Sequence, residues 1–463
     1  VNPNLRAQVP ITEARRAKLS EDLVARHKMA IEDMQVLIDR FRNERGRPAD
    51  ANAFGYRAGR FARNLNVTRF MGTVVPSSLP DIARPVMRYG LESTYRNAWK
   101  PLVSDLKLVK MSNAAARRMN IATESLTHNR AQAIFDVGEN FSTQQTMVER
   151  GMETLANKTG FVALFDRWTD ANKRLSTQVV FGEFSNALNV LAQGTRGPDY
   201  DKALIMMNRL SLSEDMVAKI NRQFDRSGGS TEVATDFRLP NTEVWDDFET
   251  VMAMNGAITQ EANDLIVTPG LDKPSWTDAN EAYRVVGQFR SFSFASTNRT
   301  IMSGLQQSDM AYLNGAMMSL ALGAVSYYAW GISAGGTMQE RMMESTGEQW
   351  TYEALQRSGL LGVLSEGTRI GEQIPALNDY AIFGGEGRNS RRASSVMGSI
   401  LGPSYDLGER LISIAQGLDE PTQSTLHSAR VSMVPYQNVF YLRRLLDKVE
   451  EGLASNLPET RGQ

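Results

Sequence analysis

Between Asp309 and Glu340 lies the longest run of this chain without a charged side chain. About 20 mainly apolar residues are enough for a helix to cross a bilayer, and Ala311 to Trp330, AYLNGAMMSLALGAVSYYAW, meets that length. Tyr327, Tyr328 and Trp330 sit at one end, where interfacial aromatics anchor a membrane helix. Ala311, Gly315, Ser319 and Gly323 recur every fourth residue, which places small side chains along one helical face and lets a neighbouring helix approach closely. Two readings follow. The segment inserts in a membrane, or it is a buried helix of an all-α core, which uses Ala and Gly in the same way; Asn314 and the modest leucine content weigh against insertion.

The rest of the chain repeats helical spacing. Leu23, Val24, Ala30, Ile31, Met34, Leu37, Ile38 and Phe41 recur three and four apart and form a stripe that needs a partner helix. Arg45-Gly46-Arg47-Pro48 breaks that helix, a second runs through Arg57 to Leu65, and Pro76, Pro80 and Pro85 predict an irregular connection. Helical spacing returns from Leu91 to Gly138. From Met147 to Gln193 a broad apolar face, including Trp168, Val179, Val180, Phe184 and Leu188, predicts a buried helix pair. A shorter helix is expected over Asp201–Phe224, another over Val244–Asn255, and a further one from Asp278 through Phe289, Phe292 and Phe294. The C-terminal part predicts helices over Tyr405–Leu418, Ser424–Met433 and after Pro435. No window shows sustained β alternation, so the class is all-α: an elongated multi-helix bundle or array with irregular Gly/Pro-rich connections. The expected divisions are an N-terminal helical region, 1–140; a central bundle, 141–265; a helical region, 266–345, holding helix 311–330; a Gly/Ser-rich loose connection, 346–404; and C-terminal helices, 405–463.

Lys plus Arg (51) and Asp plus Glu (52) nearly cancel over the chain, which removes any whole-molecule attraction to nucleic acid or an anionic membrane. The balance conceals an asymmetry. Residues 51–130 carry 13 basic and 4 acidic side chains, net +9, while 131–300 carry 16 and 23, net −7. The basic region is either a solvated face or a contact to an acidic partner. Its Arg57, Arg60, Arg63, Arg69, Arg117 and Arg118 are the candidates for contact with DNA or lipid head groups. There is no cysteine, so disulfides, thiol nucleophiles and thiolate metal sites are excluded. The chain begins at Val1 with no apolar signal core over Val1–Pro10, which leads us to expect processing or one piece of a longer polypeptide.

Residues for chemistry are scarce. His27, His128 and His427 are far apart, and none stands in a metal-binding spacing. Gly384, Gly385 and Gly387 lack the Lys-Ser/Thr of a phosphate loop. Glu124-Ser125 resembles the acid-bearing pair of some transglycosylases but lacks the accompanying glycine-rich Met-Gln stretch. Glu243, Asp246, Asp247 and Glu249 suggest a carboxylate cluster, yet adjacent helical positions point to different faces, so a solvated acidic helix end is expected. Phe289, Phe292 and Phe294 beside Arg290 could stack on bases, but packing accounts for them. The paired methionines 206–207, 317–318 and 342–343 suit interfaces that repack. No catalytic, cofactor or metal residue is therefore expected, and the chain is read as a non-enzyme.

Several segments, taken in order, resemble the large internal virion, or ejection, proteins of short-tailed bacteriophages. They are Asn64-Leu65-Asn66, Ser78-Leu79-Pro80-Asp81-Ile82-Ala83-Arg84, Thr268-Pro269-Gly270-Leu271-Asp272-Lys273-Pro274-Ser275-Trp276, Phe289-Arg290-Ser291-Phe292-Ser293-Phe294 with Asn298-Arg299, Gly304-Leu305-Gln306-Gln307-Ser308-Asp309 and Pro435-Tyr436-Gln437-Asn438-Val439-Phe440-Tyr441-Leu442-Arg443-Arg444-Leu445. The likeness spans most of the chain after residue 60 and rests on the order of packing and turn residues. It implies the C-terminal portion of a structural protein stored in the virion and released into the host envelope, periplasm and inner membrane, to help form a DNA-translocation conduit. The implied partners are further copies of the chain, sister ejection proteins, the host inner membrane and genomic DNA. The alternatives are a docking domain of a larger virion enzyme, such as a packaged RNA polymerase or a cell-wall lytic enzyme, and a capsid-internal scaffold.

Overall fold

The computed structural model of the 463-residue chain describes residues 13–42, 44–70, 74–104, 106–118, 146–158, 160–234, 237–266, 274–297, 309–334, 336–362, 395–419, 421–435 and 440–458, with 304, 364, 367 and 437. The fold is all-α. Its main helices are α1 (Glu13–Phe41), α2 (Phe54–Phe70), α3 (Arg84–Thr94), α4 (Leu106–Arg118), α5 (Met147–Lys158), α6 (Gly160–Gln193), α7 (Pro198–Arg209), α8 (Glu214–Asp225) and α9 (Phe248–Leu265). They continue with α10 (Glu281–Gly287), α11 (Met310–Ala334), α12 (Gly336–Met343), α13 (Gly347–Ser358), α14 (Pro403–Gln416), α15 (Gln423–Met433) and α16 (Phe440–Ala454).

Helix α6 is the axis of the main core, and its 34 residues rise about 50 Å. Phe181, Phe184 and Leu188 on it are fully buried against Met207 of α7, Ile220 of α8 and Met254 and Ile258 of α9. Ser213 caps α8 by accepting from the Met216 amide at 3.2 Å, and Asp247 caps α9 by accepting from the Glu249 amide at 3.0 Å. The Ser213 cap divides what the periodicity predicts as one helix over 201–224: Leu210 to Ser213 turns the chain between α7 and α8, with Ser211 left-handed at φ 60°.

Two further differences from the sequence expectation have local causes. An antiparallel pair, β1 (Ser230–Ala234) and β2 (Phe237–Pro240), follows the Gly228-Gly229 turn, with Thr231 opposite Leu239 and Glu232 opposite Arg238. Buried Phe237 and Leu239 alternate, but over too few residues to register as a strand pattern. The helix expected from Asp278 through Phe294 is broken at Gln288–Phe289. Phe289 is left-handed, φ 68°, and the buried Gln288 side chain donates to the Arg63 carbonyl at 2.9 Å and accepts from Ser404 Oγ at 3.2 Å and Asn66 Nδ2 at 3.3 Å. The helix stops where this side chain joins α2, α10 and α14 together. Likewise the Gly/Ser-rich connection contains helix α13, opened by a reciprocal capping box between Thr346 and Gln349. The expected helical spacing over 119–138 and the glycines at 384–387 lie outside the described residues.

Candidate functional site: the small-residue helix and the basic region

Helix α11 presents its small residues to other helices. A Cβ on Gly315 would stand 2.4 Å from the Met87 amide nitrogen and 2.6 Å from its Cα, so only glycine lets α11 cross α3 there. One turn on, buried Ser319 donates its hydroxyl to the Ser358 carbonyl at 2.8 Å, at the end of α13. A Cβ on Gly323 would lie 2.2 Å from the Ala354 carbonyl oxygen. Ala311, half-buried, lies beside Gly90 of α3, where an added Cβ would be 3.8 Å from its own. The seam therefore runs between α3 and α13, both within this chain.

The aromatic end is locked in the same way. Tyr327 is fully buried, stacks on Trp330 at 6.0 Å and meets Trp350 of α13 edge-on at 4.8 Å. The Arg357 guanidinium lies over both Tyr327 and Trp330, 4.9 and 5.0 Å from their ring centres, while bonding to Glu353. A cation held over two rings by a carboxylate supports packing; it is not an interfacial anchor. Among the described residues no helix is long and apolar enough to cross a membrane, so the bilayer-spanning reading of 311–330 is corrected: Asn314, six Ala or Gly within 311–324 and polar Ser319 and Ser326 lower its apolarity. The opposite face of α11 remains exposed and uncharged, with Met310, Leu313, Met317, Val325 and Tyr328 each 46–67 % exposed.

Several arginines of the basic region are similarly tied to this chain. Arg57 is bidentate to Glu149 of α5, at 2.9 and 2.6 Å. Hydrogen bonds from Arg57, then from Thr146, hold the Glu149 carboxyl down at about 2. Arg63, 3 % exposed at its side chain, is bidentate to Glu281 of α10 at 2.9 and 3.0 Å. Arg60 is buried. Arg69 donates to the Val431 carbonyl at 3.2 Å and to Asn66 Oδ1 at 2.8 Å, and burial lowers it to about 10 despite nearby Asp406. Arg60, Arg63 and Arg69 thus do not form an outward phosphate-binding face, because buried guanidinium groups require internal partners; Arg57 is partly exposed and engaged by Glu149. Arg117 and Arg118 close α4, and their side chains lie outside the described residues.

A buried polar cluster around Glu261 had no motif in the sequence. Glu261 of α9, 1 % exposed, accepts from Arg88 Nε at 2.9 Å, from Arg209 Nη2 at 2.9 Å and from the Tyr89 hydroxyl at 2.6 Å. Burial pushes its pKa up, but hydrogen bonding to Arg88 and the Arg88 and Arg209 charges outweigh it and hold Glu261 below the ordinary carboxylate value. Burial and the Glu261 charge push Tyr89 well above its ordinary value. The only forewarning was the charge asymmetry. Arg57, Arg63, Arg88 and Arg96 of the basic region pair with Glu149, Glu281, Glu261 and Glu183 of the acidic one. The acidic partner lies in the same chain.

The carboxylates over 243–249 have separate roles: Asp246 accepts from Gln223 and pairs with Arg226, Asp247 caps α9, and Glu249 pairs with Lys219. Among the described residues no group of three or more His, Asp or Glu could hold a metal. No protein-family model, curated protein or solved structure matches this chain.

Replacing Arg63 by Met is expected to lower unfolding free energy by about 2 kcal/mol, the scale of charge-assisted hydrogen bonds left unmade. Urea unfolding monitored by circular dichroism checks it. An unchanged midpoint would mean that Glu281 recovers water at no cost.

Proposed function

We propose that this chain is a structural ejection protein of a bacteriophage, stored in the virion and assembled in the host envelope as part of a conduit for DNA. The observation that carries the reading is the two-sided character of α11. One side is fixed to α3 and α13 through glycine and serine contacts, while the other exposes a methionine-rich apolar strip. Such a strip adapts to a changing neighbour without disturbing the core that supports it. The all-α fold, the lack of cysteine and the order of the ejection-protein-like segments agree with this role. In this reading α11 joins protein to protein or rests on a membrane surface, with no single helix of the described residues spanning the bilayer.

The test compares the chain's location before and after adsorption. Quantitative mass spectrometry is expected to find it in purified virions and, after genome delivery, in the envelope fraction of infected cells. Virions carrying Met317→Glu, an exposed position, are expected to assemble and adsorb normally but to deliver at least about tenfold fewer genomes, the scale of one charge placed in an apolar contact. A chain that stays with the emptied capsid would favour the internal scaffold and sink the conduit reading.

A further inference from the structure

Helix α1 has the spacing of a coiled coil, yet among the described residues no helix covers its stretch 20–35. Residues 23–43 read LVARHKM, AIEDMQV and LIDRFRN, three heptads in phase. The first position is Leu, Ala, Leu; the second Val, Ile, Ile; the fifth His, Met, Phe. A strict seven-residue repeat turns a seam steadily around a helix and matches another helix with the same repeat, wound left-handed. Yet Leu23, Val24, Ile31 and Met34 are 55–70 % exposed, and every residue from Ser20 to Gln35 is exposed. The partner helix expected from the stripe is not supplied by this chain's described residues.

The root of α1 is fixed. Arg40 donates through Nε and Nη2 to Asp278 at 2.9 and 3.0 Å, and through Nη2 to the Pro274 carbonyl at 3.0 Å. Arg45 Nη2 donates to the Ser275 carbonyl at 2.6 Å, and Arg284 donates to the Arg45 carbonyl at 2.8 Å. Gly46, left-handed at φ 66°, approaches the Asp278 carbonyl so closely that a Cβ would lie 2.2 Å from it. From this clamp the stretch 20–37 projects about 27 Å, at 1.5 Å per residue. In proteins a helix draws most of its stability from packing of its apolar face, and this stretch has none within the described residues.

We propose that α1 pairs antiparallel with α1 of a second copy of this chain. Charge complementarity selects both partner and direction. In an antiparallel pair, the positions just before each fifth-position residue face one another across the seam; here they are Arg26, Asp33 and Arg40, the last held by Asp278 in the clamp. The register that sets Arg26 opposite the partner copy's Asp33 does so twice, by symmetry. It also places Leu23 against Met34, His27 against Ala30 and Val24 against Ile31. The same register lays the stretch 20–37 onto itself end to end, so each clamped root falls beyond the other helix's contact. The exposed strip of α11 is the competing apolar surface, but between Asp309 and Glu340 it has no charge to meet Arg26 or Asp33.

The test uses the full chain and is independent of the ejection reading, since it asks only whether and how copies associate. Sedimentation across a concentration series is expected to show reversible self-association. Ile31→Glu weakens it more than about tenfold, because a carboxylate enters an apolar seam. Arg26→Asp and Asp33→Arg each weaken it, and the double exchange restores it. Because the chain has no native cysteine, Leu23→Cys mixed with Met34→Cys gives a disulfide-linked heterodimer on oxidation, while Leu23→Cys alone gives little homodimer. All substituted positions are on the exposed helix, so the far-ultraviolet circular dichroism of a weakened variant is expected to fall by no more than the share of the unpaired stretch 20–37, the rest of the fold staying intact. A monomeric wild type, association indifferent to Ile31→Glu, or efficient self-linking of Leu23→Cys would each overturn the proposal.

Discussion

Replacing Glu261 by Ala is expected to cost about 3–5 kcal/mol of unfolding free energy, the range for removing one partner from a buried ion cluster. Glu261 is shared by Arg88 and Arg209 and receives the Tyr89 hydroxyl, so its removal takes the shared carboxylate from largely buried Arg88 and partly exposed Arg209 at the meeting of α3, α7 and α9. Glu261→Gln keeps the shape but loses the charge and should fall between wild type and Ala. The pH dependence has a definite sign. A carboxyl held below its ordinary value stabilises the fold in full above its unfolded pKa, about 4.3, and loses that contribution as pH falls through the lower folded value. Wild type should therefore lose stability below about pH 4 more steeply than Glu261→Gln. Chemical denaturation at pH 7 and in the acid range measures both effects, and parallel acid limbs would remove Glu261 from the account.

The second large effect lies in the α11 seam. Gly323→Val is expected to destabilise by at least about 3 kcal/mol, as overpacking against backbone does when neither helix can yield. The added carbon would lie 2.2 Å from the Ala354 carbonyl oxygen and 3.1 Å from the Ser358 nitrogen, so α13 must move and the Ser319–Ser358 hydrogen bond is strained with it. Gly315→Val should behave alike through Met87. Ala321→Val, on the exposed face of the same helix, should change stability by less than about 0.5 kcal/mol. A thermal melt of the three variants separates a packed seam from a general intolerance of β-branched residues in α11. Similar losses in all three would indicate the latter.

The helices were legible because their apolar spacing is local. α1, α2, α6 and α14 follow from it, and the small-residue repeat from Ala311 to Gly323 pointed to close helix contact without saying what would be touched. The seam's partners, Met87, Ala354 and Ser358, have no signature of their own. The break at Phe289 was hidden because Gln288 gains its partners from α2 and α14, more than a hundred residues away along the chain on either side. Arginines of the basic region were misjudged as outward contacts for a related reason. Composition records an excess of charge but not the direction in which a guanidinium points, and Arg63 and Arg69 point inward.

The opposite charges of the two regions also order events in time. Arg63 and Glu281 are 218 residues apart, and Arg88 and Glu261 are 173 apart. Closing loops of that length is a late and entropically costly step. During synthesis, α2 and α3 leave the ribosome long before the carboxylates that neutralise them, and the emerging polypeptide passes through a cationic stage. A fragment ending at residue 130 would be held at that stage, its residues 51–130 at net +9: helical in pattern, sticky toward any polyanion, and unable to settle until the acidic part of the chain arrives.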